Sequence, residues 1–296
     1  MNGVGAFHEP STVDEAVTLL AGSPDAVPLA GGTDLGVQIR RGKVRPTALV
    51  ALHKIDDLHR LAVAGDEVVI GSGVTHRRIE RSAIFDGALV ALREACETVG
   101  AVQTRTVGTI GGNLANASPA ADTAPVLLAF GATVDISGPT GNRNVGVDQF
   151  FLGYRRTALS AGDIITAVRC PVSTTDAGSA FLKLGRRRAM EISISCAAAF
   201  VQLGEDGETC TAAGIGLGSV SPTAIRATAA EAVLIGNPVT DELLRAAAGV
   251  AATHCSPVDD IRATAAYRRQ VTRVLVHRVL RLALDRAQTR GKGTPQ

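Results

Sequence analysis

The chain has 296 residues, with 30 Lys plus Arg against 28 Asp plus Glu and a formal net charge of +2. That balance argues against a nucleic-acid-binding protein, which carries a basic excess large enough to show in the total. Hydrophobic residues at 46% and charged residues at 20% exclude a mainly disordered chain and leave room for two ordinary domains. Aromatics are only 3% and Trp is absent, so a core must be built from Ala, Val, Leu and Ile, and Trp-lined carbohydrate sites are not expected. No run reaches the roughly 18 consecutive apolar residues of a membrane helix, Ala124 to Val134 being the best candidate. The first residues carry neither a basic nor a long apolar segment, so the expected compartment is the cytoplasm. Cys96, Cys170, Cys196, Cys210 and Cys255 form no CxxC pair and are odd in number. They read as reduced, buried thiols, which argues against an iron–sulfur cluster or structural zinc within this chain.

In chain order, residues 11–20 predict a helix, with Thr12 and Glu15 in capping-box spacing and Gly22 as its stop. Val27–Ala30 predicts a buried strand that breaks at Gly31-Gly32-Thr33-Asp34, followed by a helical turn or two over Leu35–Arg40 and a strand over Thr47–Leu52. This order is that of an α/β unit with parallel strands. Glu67–Ile70 predicts a strand ending at Gly71-Ser72-Gly73, and Asp86–Val99 an amphipathic helix. A second glycine pair stands in Thr109-Ile110-Gly111-Gly112-Asn113, and a helix should begin at Asp122-Thr123. Strands are expected over 132–136 and 164–168. Residues 173–178 read as a linker, with a domain boundary near 176. Beyond it, Ile192 to Phe200 alternates as a strand, Glu205–Glu208 reads as an Asp-Gly hairpin turn, and Thr211–Val220 as the return strand. Gly214, Gly216 and Gly218 lie within that return strand and mark a close approach by a backbone or a ligand edge. After Pro222 the pattern is helical, and Thr289–Gln296 reads as a fraying tail.

The two Gly-Gly segments carry the functional signal. Each follows a strand-like segment and precedes a helix-like one. Glycine takes positive φ without penalty and lets successive backbone N–H groups close around an anion. Two such turns in facing subdomains suit a diphosphate. Neither is a Walker A loop or a GxGxxG motif, so a Rossmann site is not supported.

Ala30-Gly31-Gly32-Thr33-Asp34-Leu35 and Thr109 through Asp122 resemble the two flavin-binding signatures of the molybdenum hydroxylase flavoproteins, the FAD-binding medium subunits of carbon monoxide dehydrogenase and xanthine dehydrogenase type. Phe150-Phe151-Leu152-Gly153-Tyr154-Arg155-Arg156-Thr157 is similar to the family's segment before its last N-domain strand, and Phe181-Leu182-Lys183-Leu184-Gly185-Arg186 to the start of its C-terminal domain. The resemblance spans nearly the whole chain. It implies an α+β protein: a two-part α/β FAD-binding domain of vanillyl-alcohol-oxidase/PCMH-like type over 1–176 (subdomains about 1–56 and 57–176), then an α+β C-terminal domain over 177–288 with antiparallel strands and three helices.

The resemblance also assigns residues. Ala30, Gly31, Gly32, Thr33 and Asp34 would lie over the FAD diphosphate; Thr109, Ile110, Gly111, Gly112 and Asn113 would grip the diphosphate and ribityl side. Asn116 would neighbour the flavin, Asp122 would reach the adenosine ribose or serve as a helix N-cap, Ile165 would touch the flavin end, and Lys183 would lie near its ring as a tuning cation. FAD would be held non-covalently. Arg186-Arg187-Arg188 would dock a partner, face the phosphates or form a solvated corner. The implied protein is an electron-transfer subunit working with a large molybdopterin subunit and a small subunit bearing [2Fe–2S] clusters, as a dimer of heterotrimers, and passing electrons through FAD to an external acceptor. Competing readings are a self-sufficient flavin oxidase or dehydrogenase of the same fold, and a non-enzymatic ligand-binding module.

Overall fold

The structure is a computed structural model that describes residues 5–172, 176–187 and 189–291. The N-terminal part contains β1 (Ala6–His8), α1 (Val13–Ala21), β2 (Ala26–Leu29), α2 (Leu35–Arg40) and β3 (Ala48–Ala51). Its sheet has the order β1-β3-β2 and is parallel throughout, as the helix–strand alternation requires. β1 is an additional edge strand that three residues without a pattern could not announce. The capping box forms: Thr12 Oγ1 accepts from the Glu15 N–H at 3.2 Å, while the Glu15 carboxylate accepts from the Ser11 N–H at 2.9 Å. Ala16 and Leu20 on α1 close over Val50 and Leu52 in a small core of their own.

The next part contains β4 (Leu61–Ala64), β5 (Glu67–Gly71), α3 (His76–Glu80), α4 (Val90–Glu97), α5 (Val102–Val107), α6 (Ile110–Asn116), α7 (Thr123–Ala129), β6 (Thr133–Gly138), β7 (Gly141–Gly146), α8 (Val147–Phe150), β8 (Phe151–Gly153), β9 (Arg156–Thr157) and β10 (Ile164–Pro171). Its main sheet runs β4-β5-β10-β6-β7 and every pairing is antiparallel. Two expectations change here. The helix over Asp86–Val99 opens as a 3-10 turn at Gly87–Leu89, and α4 proper starts at Val90. The second glycine pair follows α5 rather than a strand, and lies inside the first turn of α6.

The C-terminal part contains β11 (Ala177–Leu184), β12 (Ser195–Leu203), β13 (Cys210–Gly218), β14 (Ile225–Arg226), α9 (Thr228–Leu234), α10 (Asp241–Thr253) and α11 (Ala265–Gly291). Its four strands form one antiparallel sheet in sequence order. Residues 173–175 of the expected linker, Arg188 and residues 292–296 of the expected tail lie outside the described residues. Ala177 and Gly178 are already strand, and Thr289 and Arg290 are still helix. β12 starts at Ser195, later than the alternation from Ile192 suggested, and both of its faces are buried. Ala197, Ala199 and Val201 join the core shared with α10 and α11, whereas Cys196 and Ala198 join the core shared with α4 and α7. Alanine on both faces is what a sheet needs to fit between two helical layers. On β13 the close approach is by backbone: a Cβ on Gly214 would stand 1.8 Å from the Ala129 carbonyl oxygen, and one on Gly216 1.8 Å from that of Pro125, so α7 lies directly on the strand.

Candidate functional site

The parallel sheet and the five-stranded sheet face each other across a cavity of about 380 Å³, a size within the roughly 300–1,000 Å³ of small-molecule sites. One wall is the β2–α2 loop with Val27, Pro28, Leu35 and Gln38; the other is formed by Ser72, Gly73, His76, Val99 and residues of α6, with Ile164 and Ile165 between them.

The first loop has the properties of an anion cradle. Gly32 has φ +68°, which costs an L-residue about 1–2 kcal/mol. A Cβ on Gly31 would fall 1.9 Å from the Val107 carbonyl oxygen, so only glycine lets this loop seat against the turn that ends α5. Among the described residues no protein acceptor takes the N–H groups of Gly31, Gly32, Thr33 or Asp34. A run of N–H groups without acceptors, bent through a left-handed glycine, forms a concavity for negative charge.

The second segment is built differently. Thr109 is the N-cap of α6, and its Oγ1 accepts from the Gly112 N–H at 3.1 Å. The Ile110 N–H donates to the Val74 carbonyl at 3.0 Å and the Gly111 N–H to that of Ser72 at 2.9 Å. A Cβ on Gly111 would stand 2.5 Å from Ser72 Cβ, whereas one on Gly112 would meet only Thr109 Oγ1 at 3.1 Å and Ala30 Cβ at 3.9 Å. Gly111 therefore serves packing, and Gly112 is the glycine that looks across the cavity. The side chains of Asn113 and Asn116 supply polar groups: Thr123 Oγ1 donates to Asn113 Oδ1 at 2.7 Å, and Arg155 Nη1 donates to Asn116 Oδ1 at 2.9 Å.

Eleven expected residues line this cavity: Ala30, Gly31, Gly32, Thr33, Asp34, Thr109, Gly111, Gly112, Asn113, Asn116 and Ile165. Ile110 is fully buried in the core behind it. Asp122 and Lys183 do not line it; they pair with each other. Lys183 Nζ donates to Asp122 Oδ2 at 2.7 Å and to the Thr98 carbonyl at 3.1 Å, and Ser193 Oγ donates to Asp122 Oδ1 at 3.3 Å. Burial pushes the Asp122 carboxyl up, and Lys183 and Ser193 offset this only in part. The residue occupies the N-cap position of α7 without making a side-chain cap bond. Its link to the cavity is through the next residue, Thr123, which fixes Asn113. Arg186 donates to the Ile261 and Arg262 carbonyls and Arg187 pairs with Glu191 at 2.9 Å; neither lines the cavity.

Three wall groups were not singled out as site residues. Ser72 and Gly73 carried a signal, a Gly-Ser-Gly break after a strand. His76 is 2% exposed; its pKa is lowered to about 4 by burial and then by the Arg105 guanidinium, so the ring is neutral, with Nδ1 3.5 Å from Cys96 Sγ. Asp163 had no local signal. Burial would raise its pKa, but Arg143 (2.5 and 3.2 Å) and the Ser160 N–H (2.6 Å) hold it below the usual range. Among the described residues no cluster of His, Cys, Asp or Glu is arranged to hold a metal.

Residues 3–173 match the family described as the FAD binding domain in molybdopterin dehydrogenase, and residues 180–283 match the CO dehydrogenase flavoprotein C-terminal domain. The chain belongs to this flavoprotein family. It is 35% identical to the carbon monoxide dehydrogenase medium chain of Afipia carboxidovorans, over 97% of each chain. It is 30% identical to a putative xanthine dehydrogenase FAD-binding subunit of Escherichia coli, over 95% of this chain and 97% of the relative. Carbon monoxide dehydrogenase from Hydrogenophaga pseudoflava superposes with a TM-score of 0.92 at 33% identity, covering 97% of this chain and 99% of that one. The flavoprotein's cofactor is FAD, and the cavity fits it: N–H groups without acceptors suit the diphosphate, and the apolar stretch from Val27 to Ile165 suits the rings. The chain is an oxidoreductase component of the molybdenum hydroxylases, in which molybdopterin and the iron–sulfur clusters are carried by other subunits.

Proposed function

We propose that residues 30–34 hold the FAD diphosphate on their N–H groups, that Thr109, Gly112, Asn113 and Asn116 line the ribityl side, and that Ile165 packs against the flavin end. The observation that carries this is the set of backbone donors without acceptors among the described residues, in a loop that lines a cavity whose other wall includes α6. Ile110 and Gly111 contribute by seating α6 on Ser72 and Val74. Asp122 and Lys183 act from behind Asn113 as a buried charged pair that sets the field at the site. Bound here, FAD would supply the redox chemistry that relays electrons from the complex to an outside acceptor; this chain's own part is to hold and orient it and keep water from its buried edge.

The partners in this reading are a large molybdopterin subunit and a small [2Fe–2S] subunit, assembled with this chain as a dimer of heterotrimers in the cytoplasm, with the flavin-binding domain ending near residue 176. The near-full-length similarity to a medium chain supports it. Co-expression with the two partner chains tests it. The expected result is co-purification as one complex with flavin absorption, and dye reduction by substrate only when all three chains are present. Dye reduction by this chain alone would support the self-sufficient dehydrogenase instead. Lys183→Ala is expected to retain FAD with a lowered flavin potential; an unchanged potential removes Lys183 from the electrostatic role.

A further inference from the structure

One side chain bridges two residues of the cavity lining. Arg155 stands at the tip of the β8–β9 hairpin. Its Nη1 is 2.9 Å from Asn116 Oδ1, at the end of α6, and 3.6 Å from Asp34 Oδ2, in the first glycine loop. A single guanidinium therefore touches both walls, one from each N-terminal sheet. The backbone at Arg155 has φ +52°, a left-handed position that hairpins normally give to glycine or asparagine. The backbone gains nothing from an arginine there.

The charges around the cavity make the position more telling. Among the described residues no lysine or arginine lines the wall; its titratable groups are Asp34, His76 and Asp163. Asp163 is matched by Arg143, and His76 is uncharged at neutral pH. Arg155 is the cation that meets Asp34. Gln38 Nε2 also donates to Asp34 Oδ2 but carries no charge, so without Arg155 a dinucleotide diphosphate would settle beside an uncompensated carboxylate, and like charges in a partly desolvated cleft repel strongly.

We propose that Arg155 is a positioning residue of the dinucleotide site: it cancels the charge of Asp34 and clasps the first loop to α6, so that the diphosphate can rest on the N–H groups of residues 31–34. This rests on the assignment of the cavity to FAD. The planar fork of arginine suits two acceptors on opposite walls; lysine offers the charge without the fork.

The test uses the assembled three-subunit complex, depleted of flavin and titrated with FAD by fluorescence quenching at low and high salt. Arg155→Ala is expected to weaken FAD binding about tenfold or more, with part of the loss recovered at high salt, where the exposed Asp34 is screened. Arg155→Lys should fall between. In the Arg155→Ala/Asp34→Asn double variant, affinity should return to near that of Asp34→Asn alone. The proposal is overturned if Arg155→Ala binds FAD as the unaltered complex does, or if its loss is equally large with Asp34 and with Asn at that position and indifferent to salt. An unaltered complex that takes up no FAD at all would bring down the cavity assignment itself, a result distinct from either of these.

Discussion

The two glycine pairs look alike in sequence and do different work. At residues 31–34, which line the cavity, the N–H groups have no protein acceptor among the described residues, and Gly32 is left-handed. At residues 110–112 the N–H groups are taken up by Val74, Ser72 and Thr109. In the proposed function the first segment receives the diphosphate; the second mounts the helix that forms the opposite wall. A Gly-Gly-Thr composition thus marks where a backbone must come close to something, without saying whether that is a phosphate or another strand.

The largest effects should come from the glycines that seat these segments. Gly31→Val and Gly111→Val both force a side chain into backbone or Cβ contacts of 1.9–2.8 Å. Each is expected to destabilise the fold by about 3 kcal/mol or more and to abolish FAD binding. Thermal melting of the apoprotein checks the first part, and a normal melt with normal FAD content in Gly111→Val would break the distinction drawn here. A smaller effect is tied to pH. His76 lies beneath the second segment, where its backbone N–H donates to the Gly108 carbonyl at 3.0 Å. Its pKa falls from 6.5 to about 4 on folding, so between those values the unfolded chain binds the proton and the folded chain does not. Stability present above pH 6.5 is therefore lost as pH falls, by about 3 kcal/mol by pH 4. Urea denaturation of His76→Gln across that range should show a flatter acid arm; an unchanged arm removes His76 as its source. The smallest pair sharpens the contrast most. Thr109→Ala removes an N-cap and should lower stability by about 1 kcal/mol. Thr33→Ala, whose hydroxyl is exposed and caps nothing, should leave the melt unchanged and weaken FAD binding by a few fold. Equal melting shifts in the two variants would contradict the division of labour.

Much of this was legible because local chemistry and tertiary role agree. The capping box of α1, the parallel order of the first sheet and the Asp-Gly turn at Gly207 follow from patterns a few residues long; the helical character after Pro222 does too, while its division into three helices comes from the family resemblance. What was hidden depends on distant partners. β7 reads Gly-Asn-Arg-Asn-Val-Gly, a polar edge strand whose pairing with β6 has no apolar signature. α5 and α6 have no continuous apolar face, and α6 exists because Thr109 caps it and Ser72 and Val74 accept its first N–H groups. Asp122 and Lys183 were each readable as polar and functional, but their 2.7 Å contact joins residues 61 positions apart. Asp163 depends in the same way on Arg143, across the turn of another strand.

The glycines of β13 have a mechanical consequence. With the carbonyls of Pro125 and Ala129 lying where side chains would otherwise stand, there is no slack along that seam, and the C-terminal sheet cannot swing away from α7 without tearing the main core. The small cluster around Ala16, Val50 and Ile55 is a separate and much lighter attachment. The first part is pinned to the rest at fewer points, through that cluster, which reaches Ile164 of β10, and through the glycine loop, where Gly31 lies against the Val107 carbonyl.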